Sequence, residues 1–223
     1  MNRIITVDGP AGSGKSTVSR LLAKKLGFIY LDTGAMYRAV ALHAGREGID
    51  FEDGKGLYEM CREMDINFAS KGDNFSVYLG DEDISLEIRK PEMDMLSSRI
   101  SMIKEVRDAM TELQRKIGRE GRLVAEGRDM GTVVFPDADH KYFITGSVEV
   151  RAARRYSERI GRGESVSMEE VEADLRKRDE QDKNRPISPL RPAEDAIIID
   201  TTPLGIDQVV EEILDNMGAS EIR

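Results

Sequence analysis

The sequence predicts an α/β fold: a five-stranded parallel sheet flanked by helices, with a helical lid and a small antiparallel β insert. Three observations carry that reading. Short apolar runs alternate with segments of helical periodicity, the first run flows into a glycine-rich loop and then a helix, and the texture near residue 65 changes to brief alternating runs separated by turn residues. Alternating strands and helices imply a parallel sheet covered on both faces, with ligands at the carboxyl ends of its strands.

The elements follow in order. Residues 2–8 (NRIITVD) read as a buried first strand. Val18, Leu21, Leu22 and Leu26 stand at helical spacing before Gly27, a helix stop. Residues 28–31 form a second strand, and residues 34–46 a helix with Met36, Val40 and Ala44 on one face. INFAS, FSVYL and DISL, between 65 and 86, are separated by Lys71-Gly72-Asp73-Asn74 and Gly80-Asp81 and read as a meander. Helical periodicity returns over 92–118, and strands follow at 122–126 and 141–145. Residues 147–160 and 167–184 are charged helical stretches with a hinge at Gly161-Arg162-Gly163, and Pro186, Pro189 and Pro192 end that pattern. A strand at 196–200 and a helix at 205–217 close the chain. The expected organisation is one domain: a core of about 1–64, 92–150 and 190–223, an insert of about 65–91, and a lid of about 151–167.

The chain has 223 residues, 39% hydrophobic and 34% charged, enough for one domain with a sizeable core. Its net charge of −9 argues against a protein that coats nucleic acid or anionic membrane. Yet eight arginines fall between Arg151 and Arg185, so the acidic field leaves room for a local basic pocket. Cys61, the one cysteine, lies in the apolar-spaced run Leu57, Met60, Cys61, Met64 and reads as a buried thiol. His43 and His140 lack metal-ligand spacing. No apolar run approaches a membrane span and no signal-peptide pattern appears, so a cytoplasmic protein is expected.

The strongest local signal is Gly9-Pro10-Ala11-Gly12-Ser13-Gly14-Lys15-Ser16-Thr17, which matches G-x-x-x-x-G-K-S/T between a predicted strand and a predicted helix. Glycines let backbone N–H groups curl around phosphates, and the helix N-terminus adds partial positive charge. Lys15 would reach the β- and γ-phosphates of a nucleoside triphosphate, ATP being read ahead of GTP, and a Ser16 or Thr17 hydroxyl would coordinate Mg²⁺. The fold class is therefore of the P-loop NTPase type.

Three classes compete for such a loop. A switch GTPase needs an N-K-x-D motif, which is absent, and a motor ATPase needs a strand ending in paired acids, which LVAEGRD matches poorly. Neither explains the arginines of 151–185. A kinase for a small acceptor does, because phosphoryl transfer gathers several negative charges in one pocket and is catalysed mainly by positioning and charge stabilisation. Arg154, Arg155, Arg159 and Arg162 run into the glycine hinge, and Arg155, Arg159 and Arg162 share a face. They read as a lid that closes over ATP and excludes water, against a bland alternative of a solvated, ion-paired helix.

With these residues in view, the chain resembles bacterial cytidylate kinases over nearly its whole length. Five segments carry the resemblance: GPAGSGKST at 9–17, LDTGAMYR at 31–38, EGRDMGTVVFPDA at 126–138, RKRDEQDKNR at 176–185 and IIIDTT at 197–202. It implies transfer of the ATP γ-phosphoryl group to CMP or dCMP, in pyrimidine nucleotide metabolism, with Lys15, Arg155 and Arg185 as the catalytic side chains.

The resemblance also implies the acceptor site. Arg38, Arg128 and Arg185 would hold the acceptor phosphate, since a planar guanidinium grips two oxygens at once. Ser98, Arg107 and Asp129 would read cytosine, with Asp129 accepting from the base amine; another serine near Ser98 is an open alternative. Arg178 and Asp182, i and i+4 on one helix, would meet the ribose, or else form a surface pair. Thr33 and Tyr37 would line the pocket, and Asp32 would either position Mg²⁺ through water or cap the following helix. Position 16 is glycine in some family members, and the 65–86 meander shows little identity. A monomer is expected, with UMP or a non-nucleotide alcohol as the alternative acceptor and a non-catalytic nucleotide-sensing module as the alternative class.

Overall fold

The computed structural model describes residues 3–71 and 74–218. In chain order the elements are β1 (Ile4–Asp8), α1 (Lys15–Leu26), β2 (Ile29–Asp32), α2 (Thr33–Glu47), α3 (Gly54–Glu63), β3 (Ile66–Lys71), β4 (Asn74–Leu79), β5 (Glu82–Asp83), α4 (Pro91–Ile100), α5 (Lys104–Gly118), β6 (Leu123–Gly127), β7 (His140–Thr145), α6 (Val148–Gly161), α7 (Met168–Asn184), β8 (Ile197–Asp200) and α8 (Ile206–Asn216). They fall into two compact units, Met1–Tyr30 with Gly118–Arg223, and Leu31–Ile117.

The first unit is built on a five-stranded sheet in the order β2-β6-β1-β7-β8, and the β1–β6, β1–β7 and β7–β8 pairings are parallel. β1 sits at the centre, buried on both faces, which is why IITVD reads as a near-continuous apolar run. Ile5, Val7 and Ile144 from the sheet, Val18 and Leu22 from α1, and Val209 and Ile213 from α8 share one core. α1 ends where Gly27 turns left-handed and returns its N–H to Ala23 and Lys24, with Lys24 and Lys25 set against the helix dipole. A second, smaller cluster joins Ala152 of α6 to Val171 and Leu175 of α7 and to Ala11. α7 opens with a capping box between Ser167 and Glu170.

The second unit combines α2 to α5 with the antiparallel sheet β3-β4-β5. Alternation along the strands places Ile66 and Val77 inward, and Ile84 follows them into the interior. Arg46 at the end of α2 grips Glu82 through both guanidinium nitrogens, at 2.7 and 2.8 Å, and also reaches Glu87, tying the sheet to the helix. Cys61 is buried as its spacing predicts, and burial pushes its thiol up to about 12.

The five predicted core strands match the observed ones to within two residues at each end; Asn2, the predicted start, lies outside the described residues. So do Gly72 and Asp73 of the predicted turn in the meander. Two differences have local causes. The helical run over 92–118 is two helices, because Ser101 Oγ donates to the Ser98 carbonyl at 2.8 Å while Met102 and Ile103 bond back only three residues. The third strand of the meander stops at Asp83, because Ser85 Oγ takes the N–H of Val77 at 2.9 Å.

Candidate active site

The phosphate loop leaves the carboxyl end of β1 and opens α1. Gly9 has a φ of 154°, and a Cβ there would stand 2.0 Å from the Ile144 carbonyl oxygen, so only glycine lets the loop start against β7. Gly14, the α1 N-cap, is left-handed. Lys15 is buried and donates to the Pro10 carbonyl at 3.3 Å, folding its ammonium back over the loop. Ser16 Oγ donates to Glu126 Oε2 at 2.8 Å, and Tyr30 donates to the other oxygen of the same carboxylate. Glu126 is 2% exposed and stands near the end of β6, the strand beside β1. Sequence reasoning did not assign it; an acid closing an apolar strand is the signal that marks it.

The arginines of α6 divide by what they touch. Arg151, not among the predicted site residues, is buried and donates to the Gly146 and Ala11 carbonyls, both at 2.9 Å, and to both Asp179 oxygens, at 3.2 and 2.6 Å. It is a strut joining α7, the end of β7 and the phosphate loop. Arg154 donates to Thr201 Oγ1 at 2.9 Å and to the Thr201 carbonyl at 2.8 Å, and lies 3.5 Å from the Ser13 carbonyl. It thus stands between the phosphate loop and the segment after β8. Arg155 pairs with Glu158 at 2.8 Å, Arg162 also reaches Glu158, and Arg159 pairs with Glu164 at 2.7 Å and Asp174 at 3.4 Å.

Five of the predicted acceptor residues come together in the first unit. Arg128 Nε donates to Asp182 Oδ2 at 2.7 Å, and the Arg185 guanidinium lies 3.6 Å from Asp129. Arg185 also donates to the Ser188 carbonyl just beyond α7. Burial works to raise the Asp182 carboxyl but is outweighed by the charges of Arg128, Arg178 and Arg185, so it stays below its ordinary value. Asp129, Asp182 and Arg185 are all buried, which makes this a charge cluster and not a solvated surface pair.

The other predicted acceptor residues lie in the second unit. Thr33, Tyr37 and Arg38 stand in the first turns of α2, with Thr33 and Tyr37 buried. Asp32 caps this helix, accepting the N–H of Ala35 at 2.8 Å, and lies 3.7 Å from Arg38. Arg107 of α5 stacks over the Tyr37 ring at 5.6 Å and donates to the Ser101 carbonyl at 3.1 Å. Ser98 is half-buried on α4, and its carbonyl accepts from Ser101. Among the described residues, no group of three or more His, Cys, Asp or Glu side chains forms a metal cage, and no helix is long and apolar enough to cross a membrane.

Comparison with known proteins gives the family. The cytidylate kinase family profile matches residues 5–219. Cytidylate kinase of a Geobacter species is 51% identical over 208 residues, covering 93% of this chain and 89% of that one. Cytidylate kinase of Carboxydothermus hydrogenoformans is 49% identical, covering 96% of each chain. Among solved structures, an uncharacterised protein from Eubacterium ventriosum superposes with a TM-score of 0.54 at 14% identity, covering 98% of this chain and 99% of that one, a likeness of fold.

Proposed function

We infer the reaction from one premise: the chain belongs to the cytidylate kinase family. It is a phosphotransferase with a phosphate acceptor, moving the γ-phosphoryl group of ATP to CMP or dCMP to give CDP or dCDP plus ADP. The observation that carries this is the identity of about half of all residues across almost the full length of both chains. A phosphate loop between β1 and α1 and a buried arginine–aspartate cluster agree with it.

Our assignment of residues follows from charge and geometry. The acceptor phosphate oxygen attacks the γ-phosphorus, the bond from that phosphorus to the bridging oxygen breaks, and the electron pair leaves on the β-phosphate of ADP. Residues Gly9 to Thr17 cradle the triphosphate through backbone N–H groups, and Lys15 swings from Pro10 to its β- and γ-oxygens. Arg38, Arg128 and Arg185 hold the acceptor phosphate; Asp129, Arg107 and Ser98 read cytosine; Asp182 and Arg178 meet the sugar. Thr33 and Tyr37 line the acceptor pocket. Arg155 and Arg159 act as lid cations, released from Glu158 and Glu164 when triphosphate arrives. Arg154, held against Thr201, faces the adenine side of the site.

The donor set fits a magnesium ion carried in with the nucleotide. Ser16 Oγ and the Glu126 carboxylate are hard oxygen donors already in contact, and magnesium is commonly held by one or two protein groups plus phosphates. Ser16 is preferred to Thr17 on this ground, and Asp32 is assigned to its helix cap. When bound, the ion neutralises charge that builds across the phosphates. We further propose a cytoplasmic monomer that works on free nucleotides, without nucleic acid polymer or membrane, in pyrimidine nucleotide metabolism.

The test is ADP release with ATP and Mg²⁺ against CMP, dCMP, UMP, AMP and GMP. Strong preference for CMP and dCMP is expected; turnover with another acceptor alone removes the cytosine reading but keeps the kinase.

A further inference from the structure

β1 ends at Asp8, the residue before the phosphate loop, and Asp8 is 4% exposed. Its carboxylate is taken up by the backbone beyond β6. One oxygen accepts the N–H of Met130 at 2.9 Å and the other that of Gly131 at 2.8 Å. Two successive N–H groups on one carboxylate fix both the position and the tilt of a peptide segment, as a single hydrogen bond does not. The parallel register already sets Asp8 opposite Gly127, the last residue of β6. Beyond Gly127 the sheet pairing stops. Asp129 adopts φ −147° and ψ 24°, and the chain then enters a short π-turn, Met130–Val134, in which the N–H of Phe135 returns to Met130. The segment bearing Arg128 and Asp129 therefore lacks a ladder of its own where it is most needed.

Packing at Gly131 is equally close. A Cβ at Gly131 would meet Thr6 Oγ1 at 2.9 Å, Lys141 Cδ at 3.3 Å and Asp8 Oδ2 at 3.5 Å. The segment lies directly on β1, with no room for a side chain there. Burial pushes the Asp8 carboxyl up to about 7 against the opposing effect of its two hydrogen bonds.

We propose that Asp8 is a positioning residue for acceptor recognition: its carboxylate locks the 128–131 segment to the origin of the phosphate loop, and so sets where Arg128 and Asp129 stand. Donor and acceptor ends of the reaction are then indexed to one strand terminus. The inference rests on the reading that Arg128 and Asp129 meet the acceptor nucleotide.

The experiment is steady-state kinetics on the full chain, with KM for CMP, KM for ATP and the CMP-to-UMP ratio of kcat/KM measured for wild type, Asp8→Asn and Asp129→Asn. Asparagine is isosteric but turns an NH₂ toward one of the two N–H donors. Asp8→Asn is expected to raise KM for CMP at least tenfold and lower the CMP-to-UMP ratio at least tenfold, with KM for ATP within twofold of wild type. A merely structural loss next to Gly9 would disturb ATP as much as CMP and leave the base ratio unmoved; that result, or no change in either KM, overturns the proposal. Asp129→Asn separates the two layers. If it leaves the ratio intact, the base reading fails; if it collapses the ratio while Asp8→Asn preserves it, positioning by Asp8 fails alone. Should Asp8→Asn not fold, Gly131→Ala displaces the same segment from Thr6 and Asp8 while leaving the Asp8 side chain itself unaltered, and an unchanged CMP KM and base ratio in that variant are equally fatal.

Discussion

Replacing Asp8 with asparagine should change how stability depends on pH. In the unfolded chain this carboxyl ionises near its ordinary 3.8, whereas in the folded protein burial holds it up to about 7. Asp129 of the facing segment adds to the increase, while Arg128 and the N–H groups of Met130 and Gly131 oppose it; the Lys141 stem also packs close by, its ammonium turned to Asp195. Between those two values the folded state holds a proton that the unfolded state has released, so stability must fall as pH rises. Below 3.8 both states are protonated and nothing is lost; above about 7 the loss is complete. Its size, taken from 3.8 to about 7, is ~4 kcal/mol. For a chain of this length that corresponds to about 10 °C in melting temperature. The assay is thermal unfolding of wild type and Asp8→Asn at steps from pH 4 to pH 8. The melting temperature of wild type, relative to the variant, is expected to drop by about 10 °C across that range. Parallel curves would refute the reasoning, by showing that the two backbone hydrogen bonds outweigh burial and keep Asp8 ionised throughout.

Other perturbations have equally direct outcomes. Arg185→Ala and Arg155→Ala are each expected to lower kcat at least a hundredfold, about 3 kcal/mol, with the fold intact by circular dichroism; near-normal rates in a folded variant would return that arginine to a structural or surface role. Asp182→Ala strips the carboxylate from Arg128 inside a buried cluster and should destabilise the protein by about 3 kcal/mol in denaturant titration. The same variant should alter the ratio of CMP to dCMP turnover, and an unchanged ratio would count against a sugar contact. Ser16→Ala is expected to raise the Mg²⁺ concentration needed for half-maximal velocity about tenfold, and Thr17→Ala to leave it near wild type; the reverse order would move the metal contact to Thr17.

What the sequence made legible was whatever repeats locally. The order of strands and helices, the glycine-rich turn at Gly9 and the lone buried thiol each leave a mark within a few residues of themselves. Glu126 and Asp8 left only a faint one, because each draws its meaning from a partner more than a hundred positions away. A carboxylate at the end of an apolar strand is visible in LVAEG and IITVD, but not what it will grip. The division of 92–118 into two helices escaped for another reason: no glycine or proline marks it, and a serine side chain competing for a backbone carbonyl makes the break. That break also frees the Ser101 carbonyl for Arg107, so a candidate base-reading side chain depends on a feature that periodicity conceals. The arginines of 151–162 were visible as a cluster, but their division into a strut (Arg151), a link to Thr201 (Arg154) and carboxylate-paired cations (Arg155, Arg159, Arg162) needed three dimensions.

The carboxylates set beside these arginines change what it means for an anion to enter. Arg128 stands against Asp182 and Arg185 against Asp129, so two of the three arginines of the cluster are already offset by carboxylates. On the proposed assignment, an incoming phosphate would substitute for a partner already present, and the displaced carboxylate would need a new one on the substrate. On the proposed assignment, a ligand that carries an anion and, at a distance from it, an amine donor would satisfy both halves of the exchange. A site that worked in this way would discriminate by swapping partners and give up its product by the same route, which suits a catalyst that must bind a highly charged molecule many times without retaining it.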